Sequence, residues 1–325
     1  MDRNKKDKSC VSEAGPPTVE LAVNKNREEV SSLASTALPD GAPAPNPTLG
    51  RPRADCGSLK TRHRNFNIAT WNVRTLFQCG KFENLVKEAE LLKLDICGVS
   101  ETRWTKSGHI DSENYRFVYS GSESHEHGVG LLISKKLTMH MLGYLPVSKR
   151  NIVIKIQASP FNLAILQTYA PTSDYSDEDI DKYYEEVQDV LKEAKSSEVL
   201  IVMGDMNAKV GNQKLENIVG QHGLGKINDR GVKLTQFCSE YDLCIINTFF
   251  QHPLRRTYTW KSPGDRRRNQ IDYIMIKLRF KNSVKQCKTY PGADIESDHA
   301  PVVAKIQIKL KKLKKPKNHF FMPIY

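Results

Sequence analysis

Carboxylate and amide side chains stand directly after several short apolar segments of this sequence. The apolar segments are Phe66–Trp71, Ile96–Ser100 and Val199–Met203. The polar residues that follow them are Asn72, Glu101, Asp205 and Asn207. If the segments are buried strands, these side chains gather at one edge of a sheet, where their oxygens suit a hard cation such as Mg²⁺. A strand-terminal carboxylate is also typical of a turn or a helix cap, and for each residue alone that alternative stays open.

A histidine flanked by acids supplies a second kind of chemistry. His299 follows Asp298 directly and comes just before the apolar segment 302–308. Such a histidine can donate to a phosphate oxygen or carry a proton near neutral pH. A second carboxylate would fix its tautomer and keep it charged, and Asp272, near the start of the apolar segment 271–276, is the candidate. A lone Asp-His pair in a loop is more often structural.

The segment 249–270 combines basic and aromatic side chains. Its candidate DNA-binding residues are Arg255, Arg256, Tyr258, Trp260, Arg266, Arg267 and Arg268. Arginine pairs with phosphates, and aromatic rings stack on bases or wedge between them. The alternative places Tyr258 and Trp260 in a core strand and leaves only the arginines to contact DNA.

The formal net charge of +12 is unevenly distributed along the chain. Basic residues are concentrated in the segment 249–270 and in both terminal regions, whereas the rest of the chain is slightly acidic. This pattern suits a polyanionic partner that meets particular surfaces, although solvated surface lysines would give the same totals. The expected partner is DNA, no protein partner is indicated, and no small-molecule cofactor beyond a metal ion is expected.

The composition excludes several classes of protein. The seven cysteines form no C-x-x-C pair, so neither a zinc ribbon nor a disulfide framework is indicated. No stretch of 18 apolar residues suggests a membrane span, and no apolar run follows the basic start as in a secretory signal. We therefore expect a protein that is neither secreted nor bound in a membrane, in a reducing compartment.

Strand-like and helix-like segments alternate between residues 65 and 308 and predict α/β layers. Residues 1–64 hold seven of the 16 prolines and no aromatic residue, so they are predicted to be disordered. Residues 309–325 are predicted to form a basic tail. Helical spacing predicts helices near 82–92 and 180–191, the second capped by Ser176. Further strands are predicted at 115–119, 129–134, 152–158, 161–169, 243–247, 257–260 and 271–276. His222 and Asn228 fall in a Gly-rich loop, expected to turn at the rim of the site.

Six short motifs in this order resemble the endonuclease/exonuclease/phosphatase superfamily. They are Trp71-Asn72, Glu101-Thr-Arg103, Tyr169-Ala-Pro171, Gly204-Asp205-Met-Asn207, Ile271-Asp272-Tyr273 and Ser297-Asp298-His299. The resemblance implies a four-layered α/β sandwich of two mixed β-sheets flanked by helices.

The same resemblance implies a role for each matched residue. Glu101 would be the principal Mg²⁺ ligand, with Asn72 and Asp298 close to the metal and Mn²⁺ as a substitute ion. The catalytic residues would be Asp205, Asn207, His299, Asp272 and Tyr169. In these roles Asp205 activates a water molecule, Asn207 holds it, and His299, aligned by Asp272, faces the scissile phosphate together with Tyr169.

In finer detail the sequence is similar to endonucleases of LINE retrotransposons of the RTE/BovB type and to host proteins of the craniofacial development protein 2-like group. That similarity implies a DNA-nicking enzyme that leaves a 3′-hydroxyl. Thr172 stands where abasic-site endonucleases usually carry Asn, which disfavours that substrate. Abasic DNA or RNA as substrate, and an idle nucleic-acid-binding or chromatin-binding protein, remain the alternatives. The lysines of 309–317 would serve as a nuclear localisation signal or a phosphate-binding arm, with a nuclear and also a cytoplasmic location expected.

Overall fold

Two β-sheets form the centre of the computed structural model, which describes residues 59–60, 65–159 and 161–307. Within these residues, sheet A comprises Asn65–Asn72, Ile96–Ser100, Ser107–Asp111, Tyr115–Ser120, Val129–Ser134, Val284–Thr289 and Val302–Gln307. Sheet B comprises Met141–Ser148, Asn151–Ile156, Leu163–Tyr169, Val199–Asp205, Leu243–Ile245 and Asp272–Lys277. Two further pairs of short strands lie outside these sheets: Leu59–Lys60 pairs with Ala158–Ser159, and Trp260–Lys261 pairs with Arg268–Asn269.

The three longer helices cover the outer faces of the two sheets. The longer ones are Lys81–Leu91, Asp177–Lys192 and Asp229–Glu240, and the shorter ones are Lys135–Thr138, Ile246–Phe249, Leu254–Arg256, Pro263–Asp265 and Leu278–Ser283. Between the sheets lies an aliphatic core that includes Ile68 and Ile133 of sheet A and Ile154 and Ile165 of sheet B. Separate apolar clusters join sheet B to two of the helices and sheet A to the third. The predicted four-layered α/β sandwich is confirmed.

Each sheet contains one parallel pair of strands, and these pairs define the functional edge of the sandwich. In sheet A, Asn65–Asn72 runs parallel to Ile96–Ser100. In sheet B, Leu163–Tyr169 runs parallel to Val199–Asp205. All four strands are buried, which accounts for their near-continuous apolar sequences. Their carboxyl ends bring together the polar residues that follow them.

The differences from the predicted elements lie mainly at sheet edges. Ser107–Asp111, Met141–Ser148 and Val284–Thr289 were not predicted, because edge strands bury little surface and show weak periodicity. His222 and Asn228 lie in a loop as expected, but the helix Asp229–Glu240 that follows was not predicted, and the Asn228 side chain caps it by accepting from the Gly231 amide at 2.9 Å. The predicted strand 257–260 is reduced to Trp260–Lys261. The two predicted helices are present, and the Ser176 hydroxyl accepts from the Asp179 amide as expected.

The two terminal regions lie largely outside the described residues. Of the segment 1–64, the structure describes only Leu59–Lys60, which pair as a short parallel strand with Ala158–Ser159. This strand forms through backbone hydrogen bonds, which do not depend on aromatic side chains. The composition of the segment therefore could not indicate the strand. The predicted basic tail 309–325 lies outside the described part. Within that part, none of the helices has the length and apolar character needed to cross a bilayer.

A buried polar cluster joins the two sheets just below the functional edge. Gln167 of sheet B donates to the Ser100 hydroxyl at 2.9 Å and accepts from the Thr70 hydroxyl at 3.2 Å, both in sheet A. All three side chains are fully buried. Gly98 makes room for this cluster, because a Cβ there would lie 1.8 Å from Gln167 Oε1.

We therefore expect Gly98→Ala to lower the free energy of unfolding by roughly 3 kcal/mol, the upper part of the range for overpacked cores. Gly143→Ala is the matched control, since a Cβ at Gly143 meets no atom within 4 Å. Urea denaturation followed by circular dichroism measures both changes. Equal midpoints for the two variants would show that the cluster tolerates the added methyl group.

Candidate active site

Asn72 connects the two sheets at the functional edge. Its Nδ2 donates to Glu101 Oε1 and to Asp205 Oδ2, each at 2.9 Å. Its Oδ1 accepts from the Arg74 amide at 2.9 Å, which fixes the orientation of the side-chain amide. Asn72 therefore presents hydrogen-bond donors to the two carboxylates and holds them on either side of itself. To serve as the predicted metal ligand between these carboxylates, Asn72 would have to point its Oδ1 toward them in place of its Nδ2.

Glu101 projects from a tight turn immediately after its strand. Its φ of 58° lies in the left-handed region, which is costly for a residue other than glycine and is typical of functional sites. Oε1 also accepts from the Tyr169 hydroxyl at 3.0 Å, and Oε2 lies 3.4 Å from Arg103 Nη2. Burial, reinforced by the charges of Glu101 and Asp205, raises the pKa of Tyr169, so Tyr169 remains a neutral phenol that can donate.

His299 and Asp272 form the expected pair. His299 Nδ1 lies 2.9 Å from Asp272 Oδ2, and its Nε2 lies 3.9 Å from Asp205 Oδ2. Burial alone would lower the pKa of His299, but the carboxylates of Asp272 and Asp205 raise it above its ordinary value. The imidazole is therefore charged at neutral pH and offers its Nε2–H as a donor.

The backbone around His299 is fixed by contacts with the first strand of sheet A. Trp71 Nε1 donates to the His299 carbonyl at 3.0 Å. The Ser297 hydroxyl donates to the Asn72 carbonyl at 2.7 Å and accepts from the His299 amide at 3.1 Å. The loop that carries the histidine is thus tied to the strand that carries Asn72.

Asp205 and Asn207 lie on the adjoining turn. Asp205 Oδ1 accepts from the Asn207 amide at 3.0 Å, and Asn207 Nδ2 donates to the Ala170 carbonyl at 2.8 Å. Asn207 has a left-handed φ of 46°. Burial and the neighbouring charge of Asp272 raise the pKa of Asp205, which suits a group that accepts a proton near neutral pH.

Asp298 lies on the side of the site formed by the basic segment. Its Oδ2 accepts from Trp260 Nε1 at 3.0 Å, and its charge contributes to the raised pKa of His299. The position of Asp298 close to a metal stays a prediction.

The basic segment forms a short hairpin joined to the His299 loop. Lys261 N donates to the Asp298 carbonyl at 3.1 Å, and Ala300 N donates to the Thr259 carbonyl at 2.7 Å. Tyr258 is buried under the Arg268 guanidinium, 4.6 Å from its ring centroid, and Trp260 is half-buried. Tyr258 is therefore a structural residue of the core, as the alternative to a DNA-contacting role predicted.

The arginines of this segment differ in their surroundings. Arg256 donates to the Thr289 carbonyl and lies over the Tyr290 ring, and Arg268 pairs with Asp265. The side chains of Arg255, Arg266 and Arg267 are exposed. These three arginines are therefore the ones best placed to contact phosphates.

Sequence reasoning missed a cluster around Arg150. Its guanidinium lies 5.3 Å from the Tyr169 ring centroid and 5.0 Å from that of Tyr175, and it donates to the Tyr169 carbonyl. His127 Nε2 lies 3.3 Å from the Tyr175 hydroxyl. Burial, followed by the charges of Arg150 and Lys149, lowers the pKa of His127 to about 4. The members come from three separate loops and from the end of the strand Leu163–Tyr169, so no sequence spacing could have indicated them.

Two sets of side chains are candidates to hold a metal ion. Ligand atoms of Asp205, Asp272 and His299 lie within 4.8 Å of one another. In that set, however, His299 Nδ1 is already bonded to Asp272 Oδ2 at 2.9 Å, which occupies one potential ligand atom of each of these two residues. The second candidate is the carboxylate of Glu101, which Asn72 holds on the other side from Asp205, because its oxygens are ligands of the kind that Mg²⁺ prefers and Asp205 stays free to act as a base.

The chain is similar to known proteins in sequence and in fold. Residues 69–299 match the Endonuclease/Exonuclease/phosphatase family. The chain is 37% identical over 297 residues to craniofacial development protein 2 of Tragulus javanicus, a match that covers 90% of this chain and 52% of that protein. The chain therefore spans about half the length of this curated relative.

Two solved structures share the fold at low sequence identity. The endonuclease domain of TRAS1, a telomere-specific non-LTR retrotransposon, has a TM-score of 0.55 and 15% identity, covering 76% of this chain and all of that domain. The AP endonuclease LMAP of Leishmania major has a TM-score of 0.57 and 15% identity, covering 75% of this chain and 88% of that one. Since the family match includes every site segment from Trp71 to His299, the chain belongs to the endonuclease/exonuclease/phosphatase family.

Proposed function

We propose that this protein is a Mg²⁺-dependent endonuclease of the LINE retrotransposon type that nicks one strand of DNA and leaves a 3′-hydroxyl. The observation that carries the proposal is the single hydrogen-bonded cluster that joins Glu101, Asn72 and Asp205 and places His299 beside Asp205. In this cluster Glu101 is a carboxylate that can bind a metal, Asp205 is a carboxylate that can act as a base, and His299 is a charged hydrogen-bond donor. Hydrolysis of a phosphodiester needs these three groups.

The chain's own residues divide the chemistry as follows. Asn207 holds the attacking water and Asp205, with its raised pKa, accepts its proton; as the water oxygen bonds to phosphorus, the P–O3′ bond breaks and the leaving 3′-oxygen takes up a proton from solvent. His299 Nε2–H donates to a non-bridging oxygen as negative charge develops on it, and the Tyr169 hydroxyl would join it by exchanging its hydrogen bond to Glu101 for one to the phosphate. Glu101 would hold Mg²⁺, which when bound neutralises charge on the phosphate and the leaving oxygen. Asp272 keeps His299 charged and in place.

The substrate, the RTE/BovB subtype and the nuclear location belong to the same proposal. Exposed arginines on the hairpin support a nucleic-acid substrate. The lysines of 309–317, which support a nuclear location, lie outside the described residues. Mn²⁺ is expected to replace Mg²⁺, since it accepts the same oxygen ligands.

One assay tests the proposal. Supercoiled plasmid is incubated with the purified protein and either Mg²⁺ or EDTA, and the ends formed are tested for extension by a DNA polymerase. Open circles that appear only with Mg²⁺ and can be extended are the expected result. Intact plasmid combined with salt-sensitive DNA retention would favour the idle binding protein. Cleavage restricted to plasmid with abasic sites, or to RNA, would favour the other branches of the family.

The hairpin arginines give a quantitative prediction about DNA binding. We expect Arg266→Ala/Arg267→Ala to weaken binding and to lower the slope of log affinity against log salt by about 0.9 for each lost phosphate contact. Adding Arg268→Ala should change the slope less, because Arg268 is already paired with Asp265. Fluorescence anisotropy measures this slope. The titrations run between 50 and 200 mM salt, roughly the range over which such slopes are resolved.

The control for this prediction is Lys182→Ala/Lys192→Ala, which removes two exposed charges from the outer helix Asp177–Lys192. This pair should leave the slope unchanged. Equal slopes for the arginine variant and the wild type would mean that the hairpin arginines face solvent.

A further inference from the structure

An exposed pair of rings lies at the rim of the site, apart from the hairpin. The ring centroids of Phe77 and His125 are 4.4 Å apart, with an angle of 53° between the planes. Phe77 is 50% exposed, and His125 is exposed as well. Neither residue contributes to the core, so burial in the folded chain does not explain the position of these rings.

Backbone hydrogen bonds attach this pair to the turn that carries Glu101. The Leu76 amide donates to the Thr102 carbonyl at 3.0 Å, and Trp104 Nε1 donates to the Leu76 carbonyl at 3.1 Å. On the other side, His125 Nδ1 lies 3.0 Å from the Arg103 carbonyl. The two rings are therefore held within a few residues of the proposed metal ligand by groups on both sides of it.

The backbone around the pair is conformationally costly. Arg74, Glu101, Arg103 and His127 all have φ between 56° and 63°, in the left-handed region. Backbone strain of this kind persists where the surrounding structure determines it and is concentrated at binding and catalytic sites. The three segments that carry these residues are the same segments that carry and support the two rings.

The charges beside the rings suit a nucleotide. Arg74, Arg103 and Lys106 are exposed cations in the same segments, and the Arg103 guanidinium lies 3.4 Å from Glu101. Aromatic rings next to cations are the usual platform for an unpaired base, because the rings stack on the base while the cations meet its phosphate. The acids Glu123 and Glu126 lie in the His125 loop and limit the extent of the basic surface.

We propose that Phe77 and His125 form a stacking platform for one nucleobase of the substrate strand, unpaired from its complement and next to the phosphate that is cut. This inference deepens the proposed endonuclease function and rests on it for the identity of the strand. The base would lie against the Phe77 ring, and Arg74 or Arg103 would contact the adjoining phosphate.

The test uses DNA with 2-aminopurine, whose fluorescence falls when it stacks, placed in turn at each position flanking the cut. Binding is measured in the Glu101→Gln background so that the strand stays intact. Phe77→Ala should weaken binding by about 5- to 150-fold, the range for losing one base–aromatic stack, and should abolish quenching at one position only. Phe77→Trp should restore both, whereas Phe77→Leu, which keeps apolar bulk without a ring, should not.

Leu142→Ala is the matched control, since Leu142 is 55% exposed on the edge strand Met141–Ser148. Thermal unfolding midpoints check that each variant is folded. Unchanged quenching in Phe77→Ala, or full rescue by Phe77→Leu, would overturn the platform. Because the readout is binding, it is separate from the proposed function, which fails instead if the wild-type protein cuts no plasmid.

Discussion

Glu101→Gln is expected to lower the rate of nicking by on the order of 1,000-fold while leaving DNA affinity nearly unchanged. The substitution keeps the size of the side chain and its ability to accept hydrogen bonds from Asn72 and Tyr169. It removes only the negative charge that would hold Mg²⁺. The stabilisation that a bound metal gives the transition state amounts to several kcal/mol, which corresponds to this loss of rate.

Plasmid nicking and fluorescence anisotropy measure the two quantities separately. Glu185→Gln, on the outer face of the helix Asp177–Lys192, is the matched control and should nick as the wild type does. Full activity of Glu101→Gln at saturating Mg²⁺ would show that another carboxylate holds the metal, and the Asp205–Asp272 pair would then be the next candidate.

The second prediction concerns the pair of His299 and Asp272. We expect His299→Ala to slow nicking by roughly 100- to 1,000-fold, about 3–4 kcal/mol, as for the loss of one donor to a developing oxyanion. Asp272→Asn should cost less, since the imidazole remains. The losses in the double variant should not add, because Asp272 acts through a histidine that is then absent. Losses that sum would show that the two residues work independently.

The same pair fixes the sign of the pH dependence. His299 donates only as an imidazolium, so its contribution is present below its raised pKa and is lost as the pH rises through that value. Asp272→Asn removes the carboxylate charge that raises the pKa of His299 most. The alkaline limb of the pH–rate profile should therefore move to lower pH. Asp205 must be ionised to accept a proton, and its raised pKa places the acid limb closer to neutrality than for an ordinary aspartate.

The sequence predicted which strands end in the site because burial on both faces leaves a clear apolar run. Val199–Asp205 and Ile96–Ser100 are of this kind, and their carboxyl ends do bring Asp205 and Glu101 close to Asn72. The pairing of Asp272 with His299 was also expected. In each case a short motif lies next to a strongly patterned strand.

Features that depend on orientation or on loop contacts could not be predicted in this way. The direction of the Asn72 amide is set by the Arg74 backbone, and the place of Asp298 is set by Trp260. The helix Asp229–Glu240 was missed because Gly231 and Thr235 within it are poor helix formers. The contact between Phe77 and His125 joins two loops 48 residues apart, and no periodicity relates them.

The backbone bonds between the hairpin and the His299 loop have a consequence for substrate selection. The hairpin strand Trp260–Lys261 pairs with the segment that carries His299, and Trp260 also holds Asp298. In the proposed function, a duplex that fits the hairpin poorly displaces this strand, and the catalytic donor moves with it. A misplacement of about 1 Å can cost on the order of 100-fold in rate. Discrimination between target sites should therefore be visible in kcat more than in Kd, so that unsuitable DNA is bound and released without being cut.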